Sequence, residues 1–200
     1  MLLRQLVCLA VLFFWANYLF AQKNVNISSP NKQITFEFTI AAGKPEYGVK
    51  FKGQKLVEHS ALSLAFEDGQ LGNKASMQKA KVSKGVEEYD LPMGKASHVR
   101  SAYTQMIIAL QEGDKKVSLQ VRVFDDGLGM RYQFPEQGNQ AGLVLTDERT
   151  NFDLSNTPTA RVAFLDNYFT SHEHLYNVLP LADIKNDTLM DMPVLFEFPG

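Results

Sequence analysis

The stretch Val121-Arg122-Val123-Phe124-Asp125-Asp126-Gly127-Leu128-Gly129-Met130-Arg131-Tyr132-Gln133-Phe134 decides the fold. Before the Asp-Asp-Gly, Val117, Leu119, Val121 and Val123 alternate with polar residues; after it, Leu128, Met130, Tyr132 and Phe134 alternate in the same way. A period of two sends successive side chains to opposite faces, so each run predicts a half-buried strand. The tripeptide between them predicts an antiparallel hairpin turn, with Gly127 at positive φ and an Asp side chain bonding local backbone.

The same signal recurs in both directions. Ile34, Phe36, Phe38 and Ile40 are separated by Thr35, Glu37 and Thr39, and Tyr47, Val49 and Phe51 follow, with Gly43-Lys44-Pro45 read as the turn between them. Leu62-Leu64-Phe66, Met106-Ile108-Leu110, Leu143-Leu145 and Val162-Phe164 are further candidates, each bounded by turn-forming residues. Glu112-Gly113-Asp114 supplies another tight connector. No long helical stretch separates the strands, which excludes a βαβ wind and predicts an all-β, antiparallel β-sandwich in one domain spanning residues 22–200. The polar, lysine-rich segment from Gly69 to Ser101 reads as a long loop with one or two edge strands. At the other end, Val194-Leu195-Phe196-Glu197-Phe198 reads as a strand and Pro199-Gly200 as the turn to a hairpin partner. An unpaired edge is therefore expected there, in a sandwich that is incomplete at its C-terminus.

The N-terminus has the layout of a secretory signal peptide. Arg4 precedes an apolar run from Leu6 to Phe20 that closes on Ala21-Gln22. The run holds Asn17 and sits at the short end of the roughly 17–25 residues that span a bilayer, so cleavage is expected over anchoring, with residues 1–21 removed. The product would be exported, periplasmic or secreted, and free of the membrane. Cys8 is the only cysteine and leaves with the signal, which excludes disulfides, thiolate nucleophiles and zinc-cysteine sites from the mature chain. The remaining chain, about 180 residues, is long enough to bury roughly 70% of its unfolded surface. A net charge of −2 with both signs interspersed argues against a nucleic-acid surface.

Residues that could carry chemistry are few. Asp125 and Asp126 read as turn residues, and Arg131, facing away from Met130 and Tyr132, reads as the partner of a nearby acid. Asp147, Glu148, Arg149 and Thr150 form a compact polar cluster, for which a solvated or Arg-paired turn is the expectation; paired carboxylates in catalysis need a defined separation across a substrate. The richest stretch is Tyr168-Phe169-Thr170-Ser171-His172-Glu173-His174-Leu175-Tyr176. If extended, it places His172, His174 and Tyr176 on one face and Glu173 on the other. Two imidazoles without a third ligand are a weak zinc signal, whereas a carboxylate among aromatic residues suits calcium or a sugar.

Several segments in order resemble one family: Ser29-Pro30-Asn31, Lys44-Pro45-Glu46-Tyr47, the Val121 to Phe134 run, and Thr146-Asp147-Glu148-Arg149-Thr150-Asn151-Phe152. Together they resemble the N-terminal domain of glycoside hydrolase family 97, exported bacterial α-glucosidases and α-galactosidases. The resemblance covers essentially all of the chain after the signal. It implies a galactose-mutarotase-like sandwich packed against a (β/α)₈ barrel, absent here, that carries the catalytic carboxylates. It also implies a calcium-dependent enzyme in which a glutamate of the N-terminal domain is one metal ligand, and Glu173 occupies the matching stretch with a one-residue gap. His172 and His174 are not part of the family pattern.

Three roles follow. The chain is expected to support the barrel and supply Glu173 to calcium in the full-length enzyme, acting on an α-linked oligosaccharide without hydrolysing it alone. The alternatives are a stand-alone exported carbohydrate-binding module, or a non-functional fragment of a broken gene. A binding module needs an exposed aromatic platform; Tyr168, Phe169 and Tyr176 are candidates, although core packing is the ordinary expectation for each. No catalytic residue is expected in this chain.

Overall fold

The computed structural model of the chain describes residues 24–134, 143–155 and 157–199. The expected signal, residues 1–21, lies outside the described residues. Within them, regular structure is strand throughout except for one 3-10 turn, Leu181–Asp183.

The first sheet is a meander of β1 (Asn24–Ser28), β2 (Ile34–Ala41), β3 (Lys44–Phe51) and β4 (Gln54–Ala61), hydrogen-bonded in that order and antiparallel throughout. Tight turns set its register. The β2–β3 reversal falls on Ala42 and Gly43, at φ +49° and +82°, and Lys52-Gly53 repeats it between β3 and β4 at +49° and +84°. The expected Gly43-Lys44-Pro45 turn is thus displaced, since Lys44 and Pro45 already pair with Ala41 and Ile40. A two-residue hairpin turn of this kind needs positive φ at both central positions, which proline's locked ring forbids. At Gly43 an added Cβ would stand 2.6 Å from the Asn73 carbonyl oxygen, so glycine is required there for space as well as for φ.

Two short strands follow, β5 (Leu64–Phe66) and β6 (Gly69–Leu71), which join β11 (Leu145–Glu148) in a three-stranded sheet ordered β11-β5-β6. The second large sheet holds β7 (Ser76–Asp90), β8 (His98–Glu112), β9 (Lys115–Phe124) and β10 (Leu128–Gln133), ordered β10-β9-β8-β7. The two four-stranded sheets face each other, with β1 against β8 and β2 against β9. Between them lies one core. Phe36, Phe38 and Tyr47 come from the first sheet, Met106, Ile108, Leu110, Val117, Leu119, Val121 and Val123 from the second, and Leu62, Leu64, Phe66 and Leu71 from the connection. Burying each such side chain contributes about 1.5–3 kcal/mol.

The predicted β9–β10 hairpin forms: Leu128 opposes Val123, Met130 opposes Val121 and Tyr132 opposes Leu119. Its turn differs from expectation. Gly127 is not among the positive-φ residues, because the reversal is spread over Asp125, Asp126 and Gly127 and closed by the Phe124 amide donating to the Gly127 carbonyl at 2.8 Å. Nor does Asp125 bond locally; its Oδ1 accepts from the Asn31 amide at 2.8 Å. Asn31 Oδ1 in turn accepts from the Ser29 hydroxyl at 2.7 Å and the Gln33 amide at 2.9 Å. Ser29, Asn31 and Asp125 therefore form one polar clasp between the ends of the two sheets.

The Gly69–Ser101 segment is more regular than its composition suggests. It holds β6, all fifteen residues of β7 and the start of β8, and only residues 91–97 form the connecting loop between the two long strands. Beyond Tyr103, the last β8 residue paired with β9, the β7–β8 pair continues as a two-stranded ribbon.

A separate small sheet ends the chain: β12 (Thr159–Val162), β13 (Asn177–Pro180) and β14 (Leu195–Glu197), ordered β13-β12-β14. The C-terminal strand is therefore not left without a partner. It pairs with β12, Thr159 opposite Glu197 and Arg161 opposite Leu195. The Arg161 guanidinium also holds the Glu197 carboxylate through two hydrogen bonds of 3.0 and 3.1 Å. Phe164 lies past the end of β12 and makes only an isolated bridge to Met190.

Buried polar groups are matched. Among the described residues no buried side-chain nitrogen or oxygen lacks a hydrogen bond. Lys115, only 5% exposed, keeps its ammonium 2.8 Å from the Asp68 carboxylate and over the Phe66 ring. Sequence reading passed over Lys115, since nothing in its neighbourhood distinguishes it from the exposed lysines.

Candidate functional site

The stretch around Glu173 is carried by the small sheet. Ala160 and Val162 on β12, with Ala163 and Leu165 just beyond it, are buried and anchor one end. Two backbone hydrogen bonds fix that exit, Leu165 amide to Leu189 carbonyl at 3.0 Å and Asp191 amide to Ala163 carbonyl at 2.9 Å. From there the chain runs through turns into an irregular segment and re-enters the sheet at Asn177. Asn167 Oδ1 accepts from the Phe169 amide at 2.8 Å, a side-chain-closed turn that reverses the chain before Glu173.

The alternating face considered for His172, His174 and Tyr176 does not form. His172 sits at φ +57°, a left-handed conformation that breaks an extended run, and its Nδ1 lies 3.1 Å from the Asp191 carboxylate. One imidazole is thereby tied to an acid. Among the described residues no three His, Cys, Asp or Glu side chains converge on a metal position. Glu173 is exposed. A single carboxylate offers at most two of the six to eight oxygens that calcium takes, so Glu173 alone does not make a calcium site. Glu173 has the right donor chemistry for one position in a set completed by other residues.

Several apolar side chains near Glu173 in sequence, and on the small sheet, are uncovered. Phe169 is 98% exposed and Leu175 91% exposed, and Tyr168, Tyr176, Val178, Met192 and Leu195 are exposed as well. The expectation that Tyr168, Phe169 and Tyr176 pack in the core is wrong for all three, which are exposed. Nor do they stack: among the described residues no paired aromatic rings include any of them. Scattered apolar side chains on a surface are ordinary, but seven within residues 168–195 on one three-stranded sheet and its loop form a concentration that asks for a cover.

The other expected polar residues are structural. Arg149 Nε bonds Asp147 at 2.6 Å and the Thr150 hydroxyl bonds Glu148 at 2.8 Å, the Arg-paired turn anticipated from sequence. Arg131 faces away from the core as predicted, but it donates to the Gln120 amide oxygen at 2.7 Å in place of an acid. An open cleft of about 730 Å³ lies beside Phe134, Phe152, Arg131, Glu148 and Thr150. Within it the Thr150 hydroxyl bonds Glu148, and Arg131 is held from outside by Gln120.

The comparisons with known proteins agree with one another. The family model described as Glycosyl-hydrolase 97 N-terminal matches residues 27–200. A glycoside hydrolase family 97 enzyme from Pseudoalteromonas sp. strain K8 in complex with panose superposes with a TM-score of 0.71 at 23% identity, over 80% of this chain and 25% of that one. The figures are the same for a family 97 enzyme of that strain in complex with acarbose. A beta-arabinopyranosidase superposes with a TM-score of 0.70 at 23% identity, over 76% of this chain and 26% of that one. This chain thus spans about a quarter of the length of these structures.

Proposed function

The chain belongs to the glycosyl-hydrolase 97 N-terminal family, and from that premise we propose that it is the supporting sandwich domain of an exported, calcium-dependent α-glycosidase. In this reading the small sheet and the loop before β13 dock on the catalytic portion. Glu173 then reaches from the docked loop to complete the calcium coordination, and the substrate is an α-linked oligosaccharide held mainly by the catalytic portion. The observation that carries the reading is the position of Glu173 between Phe169 and Leu175, both almost wholly exposed. A carboxylate flanked by uncovered apolar side chains is what an interface that excludes water around a shared metal requires: the apolar groups supply association, and the carboxylate gains strength once desolvated beside a cation. When bound, the calcium would supply a fixed positive charge near the sugar; this chain's part is to orient one oxygen donor toward it.

The test has two arms. Titrated alone by calorimetry, the chain should bind neither calcium nor maltooligosaccharide at millimolar concentration, and it should hydrolyse no α-glucoside. Joined to a family catalytic portion, Glu173→Ala should raise the calcium concentration needed for half-maximal activity about tenfold or more, while Glu173→Asp should recover part of the loss. Unchanged calcium dependence in the joined protein would remove Glu173 from the metal. Tight sugar binding by the isolated chain would instead favour a stand-alone binding module built on Tyr168, Phe169 and Tyr176.

A further inference from the structure

The second large sheet ends on β7, and nothing among the described residues pairs with its outer edge. Fifteen residues of unpaired edge are unusual, because free backbone amides and carbonyls invite another strand. Lysines along such an edge ordinarily repel a second strand. Here the charge is divided along the strand. Its first part carries Lys79, Lys81 and Lys84, none of which makes an ion pair among the described residues, and its last part carries Glu87, Glu88 and Asp90. The three acids each meet one partner, Arg122, Arg100 and His98 respectively, which leaves carboxylate lone pairs available.

We propose that β7 is the contact edge of a twofold dimer, in which two copies of this chain pair antiparallel along β7 and join their sheets into one of eight strands. The twofold passes through Ser83, the midpoint of Ser76–Asp90. In that register Lys79 stands opposite Glu87 of the second copy, and Ser83 opposite its own counterpart. Side chains directly opposite across an antiparallel pair share a face, and Lys79, Lys81 and Glu87 all lie on the outer face here, since the core-facing β8 residues Met106 and Ile108 pair with Val82 and Ala80. Lys81 reaches the same glutamate on the diagonal. On the inner face, Val82 and Val86, 53% and 47% exposed, meet the second copy's Val86 and Val82 diagonally. Moving the twofold to Lys84 would set lysine against lysine, and a parallel pairing would set like charge along the whole strand. The charge order of β7 therefore selects one partner, one direction and one register.

Zero-length carbodiimide cross-linking of the unaltered chain tests this directly. Within one copy Lys79 and Glu87 are eight residues apart on an extended strand, roughly 27 Å, too far to link, so a Lys79–Glu87 product must join two copies. Sedimentation equilibrium should give a dimer and no larger species. Lys79→Glu with Lys81→Glu, and separately Glu87→Lys, should each raise the dissociation constant about tenfold or more, and mixing the two variants should restore a one-to-one dimer. A monomer at every concentration, an open-ended oligomer, or a dimer indifferent to both charge reversals and lacking the cross-link would each overturn the proposal.

Discussion

The two ends of this chain are built on opposite terms. In the sandwich, side chains from two facing sheets close over one another until Phe36, Met106, Ile108, Leu119, Val121 and Val123 have no exposed surface at all. In the small sheet, strands of three and four residues bury only Ala160, Val162 and their immediate successors, and the loops between them display Phe169, Leu175, Tyr168 and Met192 to solvent. A strand buries its side chains only where a second layer faces it, and few side chains of the small sheet are buried. The sandwich encloses its own apolar side chains; the small sheet and its loops leave most of theirs uncovered.

Mutations that probe the two regions should differ accordingly. Phe36→Ala, in the sandwich, should cost about 3–5 kcal/mol, read as a shift in the urea midpoint at constant slope, because the side chain is fully enclosed and the cavity cannot collapse. A smaller effect lies at the sandwich rim. The Tyr47 hydroxyl donates to the Asn151 carbonyl at 2.7 Å, and burial pushes its phenol up to about 12. A group whose proton is held more tightly in the folded state stabilises fully below its unfolded value, near 10, and loses that contribution as pH rises through the folded value. Stability should therefore fall by on the order of 2 kcal/mol between about pH 10 and 12, and Tyr47→Phe should flatten that part of the pH profile. The smallest effect belongs to the small sheet. Phe169→Ser with Leu175→Ser should leave the midpoint within about 0.5 kcal/mol while reducing binding of a hydrophobic dye. If that pair destabilised the chain as Phe36→Ala does, the small sheet would be closed in the same way as the sandwich and the contrast would fail.

The same contrast explains what could be read from sequence. Strands with one face buried keep a clean period of two, which is why β2, β3, β9 and β10 were legible as strands, although the β2–β3 turn falls elsewhere than the sequence suggests. β7 was hidden because much of it is solvated on both faces: Lys84 and Glu88 occupy inner positions and Lys81 and Glu87 outer ones, so polarity no longer alternates and the segment imitates a loop. β14 was recognised as a strand, but its partner β12 lies more than thirty residues back and leaves no local signal. At the candidate site the residue types were legible and the geometry was not. Nothing in Thr170-Ser171-His172 announces a left-handed histidine, and the partner that holds it, Asp191, is distant in sequence. The motifs that look most family-like, Ser29-Pro30-Asn31 and the Asp125 turn, proved to be two halves of one structural clasp.

That clasp also imposes an order in time. Asn31 and Asp125 are 94 positions apart, and the sheet that covers Phe36 and Phe38 is contributed by residues far later than they are. During synthesis the β1–β4 meander can zip up hairpin by hairpin, yet its apolar face has no cover until β8 and β9 exist, a long loop-closure search that slows folding. For roughly half the chain's length the nascent protein is therefore sticky, and a helper that shields extended apolar segments would find its target in the first sheet.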